Sequence, residues 1–315
     1  MDRPVNDREI ARAAAAIARG ELVAFPTETV YGLGADATND LAVAKVYEAK
    51  GRPGFNPLIV HVASLADALR LGQFDDTARR LGQAFWPGPL TIVVRRAAHS
   101  AISLLAGAGL PSVAIRVPRH PVALELLKAA GRPIVAPSAN PSGRISPTTA
   151  DHVRRGLGNK VAVILDAGPC PVGLESTIID CQGEAPRLLR PGGLARQTIE
   201  ECLGRGLQTG TNGERPMAPG QLASHYAPHA LLRLEAKGPR EGEAYLAFGP
   251  SPERAGMLNL SPSGDLVEAA ANLFRMLHEL DETKPAAIAV APIPHAGLGE
   301  AINDRLKRAA APRTA

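Results

Sequence analysis

The chain has 315 residues, 45% of them hydrophobic and 21% charged, which is ample for real cores and too long for one ordinary compact domain. A formal charge of +4 suits an anionic ligand such as a nucleotide but is too small to demand nucleic-acid binding. No apolar run approaches the roughly 20 residues of a membrane span, the amino terminus lacks a signal-peptide core, and Cys170, Cys181 and Cys202 have no metal-like spacing; the expectation is reduced thiols, no resident metal and a cytoplasmic, soluble protein without a membrane partner.

Taken in order, Asp7 is placed to cap an Ala-rich helix that ends at Gly20. Leu22 to Phe25 is a short apolar run stopped by Pro26, so it reads as a buried strand. A loop with Thr27, Thr29 and Gly32 leads into a helix from Asp40 to Lys50. Leu58 to Val62 is the next strand, Leu65 to Phe85 holds two short helices, and Trp86-Pro87-Gly88-Pro89 breaks the pattern before a strand from Leu90 to Val94. Strands are expected at 113–117, 134–136, 161–165, 177–180 and 187–189, with helices at 121–130 and 149–157. Several strands are joined too closely for helical crossovers, which predicts an α/β fold with an open, twisted, mixed sheet. After Leu203 the composition turns to Gly, Thr, Asn and Pro up to about Pro228, a long linker and hence a candidate functional segment. Strands near 231–234, 245–248 and 288–290, with helices near 266–280 and 299–310, then make a second, smaller α/β domain. The division is a catalytic domain over 1–204, a linker over 205–229 and a C-terminal domain over 230–315.

No Walker glycine loop, H-E-x-x-H helix or G-x-S-x-G elbow occurs. Polar residues instead recur just beyond buried strands, where open α/β sheets hold ligands. Thr27, Thr29 and Tyr31 offer hydroxyls, though an ordinary strand-to-helix turn would use the same residues. Lys50 and Arg52 in a Gly/Pro-stiffened loop suit a phosphate clamp or, equally, compensate a helix dipole. His61 within an apolar strand is ordinarily a satisfied core histidine. Arg116, in the apolar strand SVAIRVP, requires an anion, which is either a protein carboxylate or a substrate carboxylate. Ser138, Asn140 and Ser146 line a loop whose backbone can approach a ligand. Arg190 is a further cation beyond a strand, and Tyr226 in His225-Tyr226-Ala227-Pro228 can reach over a cleft to stack on a base.

The ordered series PTETVYGLGA, KGRPGFNPLIVHV, WPGPLT, SVAIRVP, PSANPSG, ESTIID and LRPGG resembles the YrdC/Sua5 family of threonylcarbamoyl-adenylate synthases. HYAP and the C-terminal GLGEAINDRL resemble the longer type in particular. The resemblance implies a YrdC-like sheet around a positively charged cavity, joined to a Rossmann-like domain. It implies a reaction of L-threonine, bicarbonate or CO2 and ATP, with Mg2+ on the triphosphate, giving threonylcarbamoyl-AMP and pyrophosphate. A separate complex then transfers the threonylcarbamoyl group to adenosine 37 of tRNA. By the same resemblance Thr29, His61, Arg116, Ala136 and Ser176 bind threonine, and Arg52, Asn56, Ser112, Ser138, Ser146, Arg190 and Tyr226 bind ATP. Lys50 and Arg52 are the catalytic basic pair, and the linker closes over the nucleotide. The family's linker usually carries a lysine after S-P-G-M, where this chain has Gln221-Leu222 after Pro219-Gly220. Two rival readings are weaker. An RNA-binding protein is disfavoured by scattered basic residues and few aromatic platforms, although direct contact with tRNA is not decided by the sequence. A carbamoyl-phosphate enzyme is disfavoured by the lack of the further domains such enzymes carry.

Overall fold

In the computed structural model, residues 5–210, 217–220, 224–252 and 255–312 are described. The first helix, α1 (Asp7–Ala18), is capped by Asn6 rather than Asp7, because Asn6 and Glu9 form a reciprocal capping box. There follow β1 (Val23–Phe25), β2 (Gly32–Asp36), α2 (Asp40–Lys50), β3 (Ile59–His61), α3 (Leu65–Leu71), β4 (Gly72–Gln73) and α4 (Asp76–Phe85). Next come β5 (Leu90–Arg96), β6 (Ser112–Arg116), α5 (Pro121–Ala130), β7 (Ile134–Val135), α6 (Ala150–Leu157), β8 (Val163–Ile164), β9 (Thr177–Asp180), β10 (Arg187–Arg190) and α7 (Arg196–Leu203). Within the expected linker lies a short strand, β11 (Gln208–Thr209), paired in parallel with β10. The C-terminal part holds β12 (Leu231–Arg233), β13 (Glu243–Ala247), β14 (Met257–Asn259), α8 (Leu266–Glu282), β15 (Ala287–Val290) and α9 (Gly299–Ala310).

The first sheet has eleven strands in the order β11-β10-β9-β5-β6-β3-β7-β2-β1-β8, with β4 on β5. It is mixed as expected: β3/β6 and β5/β9 are parallel, whereas β5/β6 and β3/β7 are antiparallel. One face of β3, β5 and β6 packs on a large core through Val60, Ile92, Val94, Val113 and Ile115. A second core, beneath α1 and α5, holds Ile17, Phe25, Leu126 and Ile134. The second sheet has four strands, β12-β15-β13-β14, all parallel, as a Rossmann-like unit requires. Its core runs from Leu273 and Phe274 of α8 to Ile302 and Leu306 of α9, and it extends to Leu174 and Val30 of the first domain. The two domains therefore share apolar contact at a seam.

Candidate functional site at the seam of two domains

Strand period places the site. Residues alternate faces along a strand, so the residues between those of the large core point the other way: Ile59 and His61 of β3, Ala114 and Arg116 of β6, Thr91 and Val93 of β5, and Ile178 of β9. Ile59, Val93, Ala114, Ile178 and Leu189 form a small apolar floor, on which Met217 and Ala218 of the linker rest. The polar members of the same face gather at the strand ends. On β10 the register slips between Leu188 and Arg190; such a bulge re-aims a side chain, and Arg190 joins this face beside Leu189.

At one end, parallel pairing sets His61 beside Arg116. Arg116 is 4% exposed. Its Nη2 donates to Glu28 Oε1 at 2.7 Å, Nη1 to Thr29 Oγ1 at 2.8 Å and Nε to the Gly88 carbonyl at 3.3 Å. The anion that its burial requires is thus the protein's own Glu28, whose second oxygen accepts the Arg119 amide at 3.0 Å. Burial opposes ionisation of Glu28, but the Arg116 charge outweighs it and holds the carboxyl below its usual range. His61 has a buried Nδ1 without a hydrogen-bond partner, and burial lowers its pKa to about 3. Its imidazole is therefore neutral near pH 7.

At the other end the cations crowd. Arg190 donates through Nε and Nη2 to the Ser176 carbonyl at 3.2 and 2.8 Å, and Nη2 also reaches Ser176 Oγ at 3.2 Å. Ser176 Oγ is 2.7 Å from Thr91 Oγ1, and the β5/β6 register sets Thr91 opposite Arg116, so Ser176 borders both groups. Arg52 is folded back on its own loop, donating to the Asn56 and Pro57 carbonyls at 3.1 and 2.9 Å. Burial lowers the Arg52 pKa to about 10, and lowers those of Arg190 and Lys50, so the site favours arrival of an anion. Lys50, the last residue of α2, donates at 2.5 Å to the Ser138 and Asn140 carbonyls and so fixes the loop that presents Ser138.

The linker and the C-terminal domain close the space between. Tyr226 is 1% exposed, with its ring 4.1 Å from that of His225 and 5.6 Å from that of Phe274. Arg305 of α9 lies 5.0 Å over the Tyr226 ring and donates to Glu175 Oε2 at 2.7 Å. Glu175 Oε1 accepts from Ser146 Oγ. What these groups enclose is a cavity of about 40 Å3, room for about one water. Pro219, Gly220, His225 and Tyr226 are among its walls, so linker residues fill much of it in this conformation.

Of the residues expected from the sequence, Thr29, Arg52, His61, Arg116, Ala136, Ser138, Ser176, Arg190 and Tyr226 line this one cavity. Lys50 stands behind the Ser138 loop and Ser146 behind Glu175. Ser112 opens instead into a neighbouring crevice with Pro57, Leu58 and Met217. Asn56 is fully buried with both amide atoms unpartnered. Gln221 and Leu222 lie outside the described residues. Glu28, Glu175 and Arg305 stand in the quoted motifs PTETVYGLGA, ESTIID and GLGEAINDRL, but the sequence assigns them no ligand. Glu28 stands in a quoted motif and answers the buried Arg116. Arg305 falls on the apolar stripe Ile302, Arg305, Leu306, Ala309 of α9, and a charge in such a stripe signals a buried partner. Among the described residues no group of three or more His, Cys, Asp or Glu is placed to hold a metal ion, and no helix is long and apolar enough to cross a membrane.

A family profile described as telomere recombination, covering Sua5, YciO and YrdC proteins, matches residues 15–192. A second, described as the C-terminal domain of threonylcarbamoyl-AMP synthase, matches residues 194–311. The chain is 42% identical to a threonylcarbamoyl-AMP synthase of Bacillus subtilis, covering 98% of this chain and 94% of that one. It is 39% identical to a protein of the same description from Pyrococcus abyssi, covering 97% and 95%. A crystal structure of P. abyssi Sua5 complexed with L-threonine superposes with a TM-score of 0.90 at 38% identity, covering 98% of this chain and 96% of that one.

Proposed function

We propose that this chain, which belongs to the Sua5/YciO/YrdC family and ends in that family's threonylcarbamoyl-AMP synthase C-terminal domain, condenses L-threonine, bicarbonate or CO2 and ATP into threonylcarbamoyl-AMP. It is an enzyme of the nucleotidyltransferase type. The observation that carries the substrate reading is the pairing of Arg116 and Thr29 with a neutral His61 at one end of a cavity whose other end is ringed by Arg52 and Arg190. A small zwitterion fits the first end and a polyanion the second.

In this reading Arg116 and Thr29 hold the threonine carboxylate, and His61 accepts a hydrogen bond from its amine. The neutral amine adds to CO2 and loses a proton, giving a carbamate. A carbamate oxygen then attacks the α-phosphorus of ATP as the bond to pyrophosphate breaks. No covalent enzyme intermediate is needed, so catalysis rests on positioning and charge neutralisation by Arg52, Arg190 and the Ser138 and Ser176 hydroxyls, with Lys50 bracing the Ser138 loop. Mg2+ enters as part of the substrate, on the triphosphate. Ser112 lies four residues from Arg116 on the same face, roughly 13 Å along the strand, and the unpartnered Asn56 amide directly precedes Pro57 and Leu58, which line the Ser112 crevice. The nucleotide accordingly extends from the cations toward the Ser112 crevice, over the floor where Met217 and Ala218 now rest. The stretch of linker that carries Met217 and Ala218 moves aside to admit it and then closes, while Tyr226 keeps its place over the site. The product serves a separate complex that modifies adenosine 37 of tRNA.

The test is an incubation of purified protein with ATP, Mg2+, bicarbonate and each of a panel of amino acids, followed by pyrophosphate release and adenylate mass. Threonine supports adenylate formation, and Arg116→Ala abolishes it while ATP still binds. Failure of threonine with wild-type protein, or full activity in a folded Arg116→Ala variant, contradicts the reading.

A further inference from the structure

We infer that Arg305, carried by the C-terminal domain, is a positioning residue of the catalytic cavity: one guanidinium holds both the Glu175 wall and the Tyr226 lid in their working places. The inference rests on the function proposed above and adds the role of the C-terminal domain in it.

The geometry is specific. Arg305 is 1% exposed and is the largest of the fully buried side chains. Nε donates to Glu175 Oε2 at 2.7 Å and Nη1 to Asp304 Oδ2 at 2.7 Å, while the planar face covers the Tyr226 ring at 5.0 Å. Glu175 passes the contact on, since its other oxygen accepts from Ser146 Oγ. Ser146 and Tyr226 are both residues expected at ATP, so Arg305 reaches the nucleotide side twice, once directly on the lid and once through Glu175. It makes no contact with Arg116, whose carboxylate partner is Glu28, or with Thr29, which accepts from Arg116. Tyr226 also sits at a φ of +65°, a conformation that a non-glycine residue keeps only when its surroundings impose it. Arg305, Phe274 and His225 are those surroundings.

A lysine cannot replace this arrangement, because it has neither the fork nor the flat face. The charge matters as well. Burial raises the Glu175 pKa, while Arg305 and then Arg190 pull it down, with a net lowering. Lys50, His225 and Tyr226 also face Glu175, and the two imidazole and phenol groups are neutral near pH 7. Without Arg305, Glu175 takes up a proton at a higher pH.

The experiment compares wild type with Arg305→Lys, Arg305→Met and the double variant Arg305→Met/Glu175→Gln, in which no unpaired buried carboxylate remains. KM for ATP and for threonine, ATP affinity by calorimetry, and the acid limb of kcat/KM are read for each folded protein. The expected result is a KM for ATP raised about tenfold or more in Arg305→Met and in the double variant, the scale of losing one charged contact. The threonine KM rises by much less than the ATP KM, because Arg116 and Thr29 are held by Glu28 and Gly88 rather than by Arg305. The acid limb moves to higher pH in Arg305→Met and is lost in the double variant, and Arg305→Lys recovers part of the ATP affinity. A folded double variant with wild-type ATP affinity and an unmoved acid limb, or both KM values rising in parallel, overturns the inference and leaves Arg305 a strut between domains. If Arg305→Met does not fold, the lysine and double variants decide the same question. If wild type makes no adenylate, the function above fails separately, and the calorimetric comparison still tests Arg305.

Discussion

Arg116 and Arg305 pose the same physical problem at opposite ends of the cavity, and each solves it with a carboxylate from a distant part of the chain. A buried charge is tolerable when it is paired and hydrogen-bonded, and removing one partner leaves the other uncompensated. The Arg116–Glu28 pair, with side chains 5% and 7% exposed, meets that condition at 2.7 Å. Replacing Glu28 by Ala is therefore expected to lower stability by about 3–5 kcal/mol and to raise KM for threonine, because Arg116 loses its orientation. Urea unfolding with threonine kinetics checks both, and a change under about 1 kcal/mol with an unaltered KM contradicts the assignment. That Arg116 needed an anion was legible in the sequence; which anion was not. The choice between a protein and a substrate carboxylate depends on where the loop after β1 folds back, 88 residues away in sequence.

The linker is the element on which closure depends. Gly220 has a φ of +83°, and a Cβ there would lie 2.7 Å from the Tyr226 hydroxyl and 2.8 Å from Arg190 Cδ. Gly220→Ala accordingly opposes this conformation, in which the linker lies in the cavity, by strain and by contact, at roughly 1–3 kcal/mol, and is expected to lower KM for ATP by up to about tenfold with little change in global stability. An unchanged ATP KM in thermal-shift-matched protein rules this out. Elements with strong local signals were legible to the residue: α2 lies between Asn39 and Gly51, α5 starts on Pro121 and stops at Gly131, and α9 follows its apolar stripe. Strands with weak local signals were not. The β2 strand reads Gly-Leu-Gly-Ala-Asp, which has poor strand propensity, and it forms because β1 and β7 flank it. The two-residue β4 and the half-exposed β14 gave no pattern to read, and β11 forms only by pairing with β10.

At the scale of the whole molecule, a mixed sheet supplies the cavity floor, linker residues supply its roof, and a parallel-sheet domain braces them through the Arg305 contacts to Glu175 and Tyr226. The seam between them is fastened well beyond Arg305. Arg196 pairs with Glu300 and Arg155 with Glu282, His152 stacks on His278 at 3.9 Å, and Gly173 lies so close to α8 that a Cβ would stand 2.5 Å from the Ala270 carbonyl. None of this was written in local periodicity, since the partners are far apart in the chain and become neighbours only when both domains have folded. The site residues of the first domain were legible because they stand in recognisable motifs within or beside buried strands or, for Lys50 and Arg52, at the end of α2. The second domain's share was less so: Arg305 stands in GLGEAINDRL, but on an apolar helix face, and Phe274 reads only as core. In the proposed reaction this assembled cavity joins threonine, a one-carbon unit and AMP. Its most direct test is to supply 13C-labelled bicarbonate with threonine and MgATP and to weigh the adenylate formed. The expected product is an AMP conjugate containing threonine and one labelled carbon, with pyrophosphate released in equal amount. An unlabelled threonyl-AMP, or ATP hydrolysis to AMP without any conjugate, would contradict it.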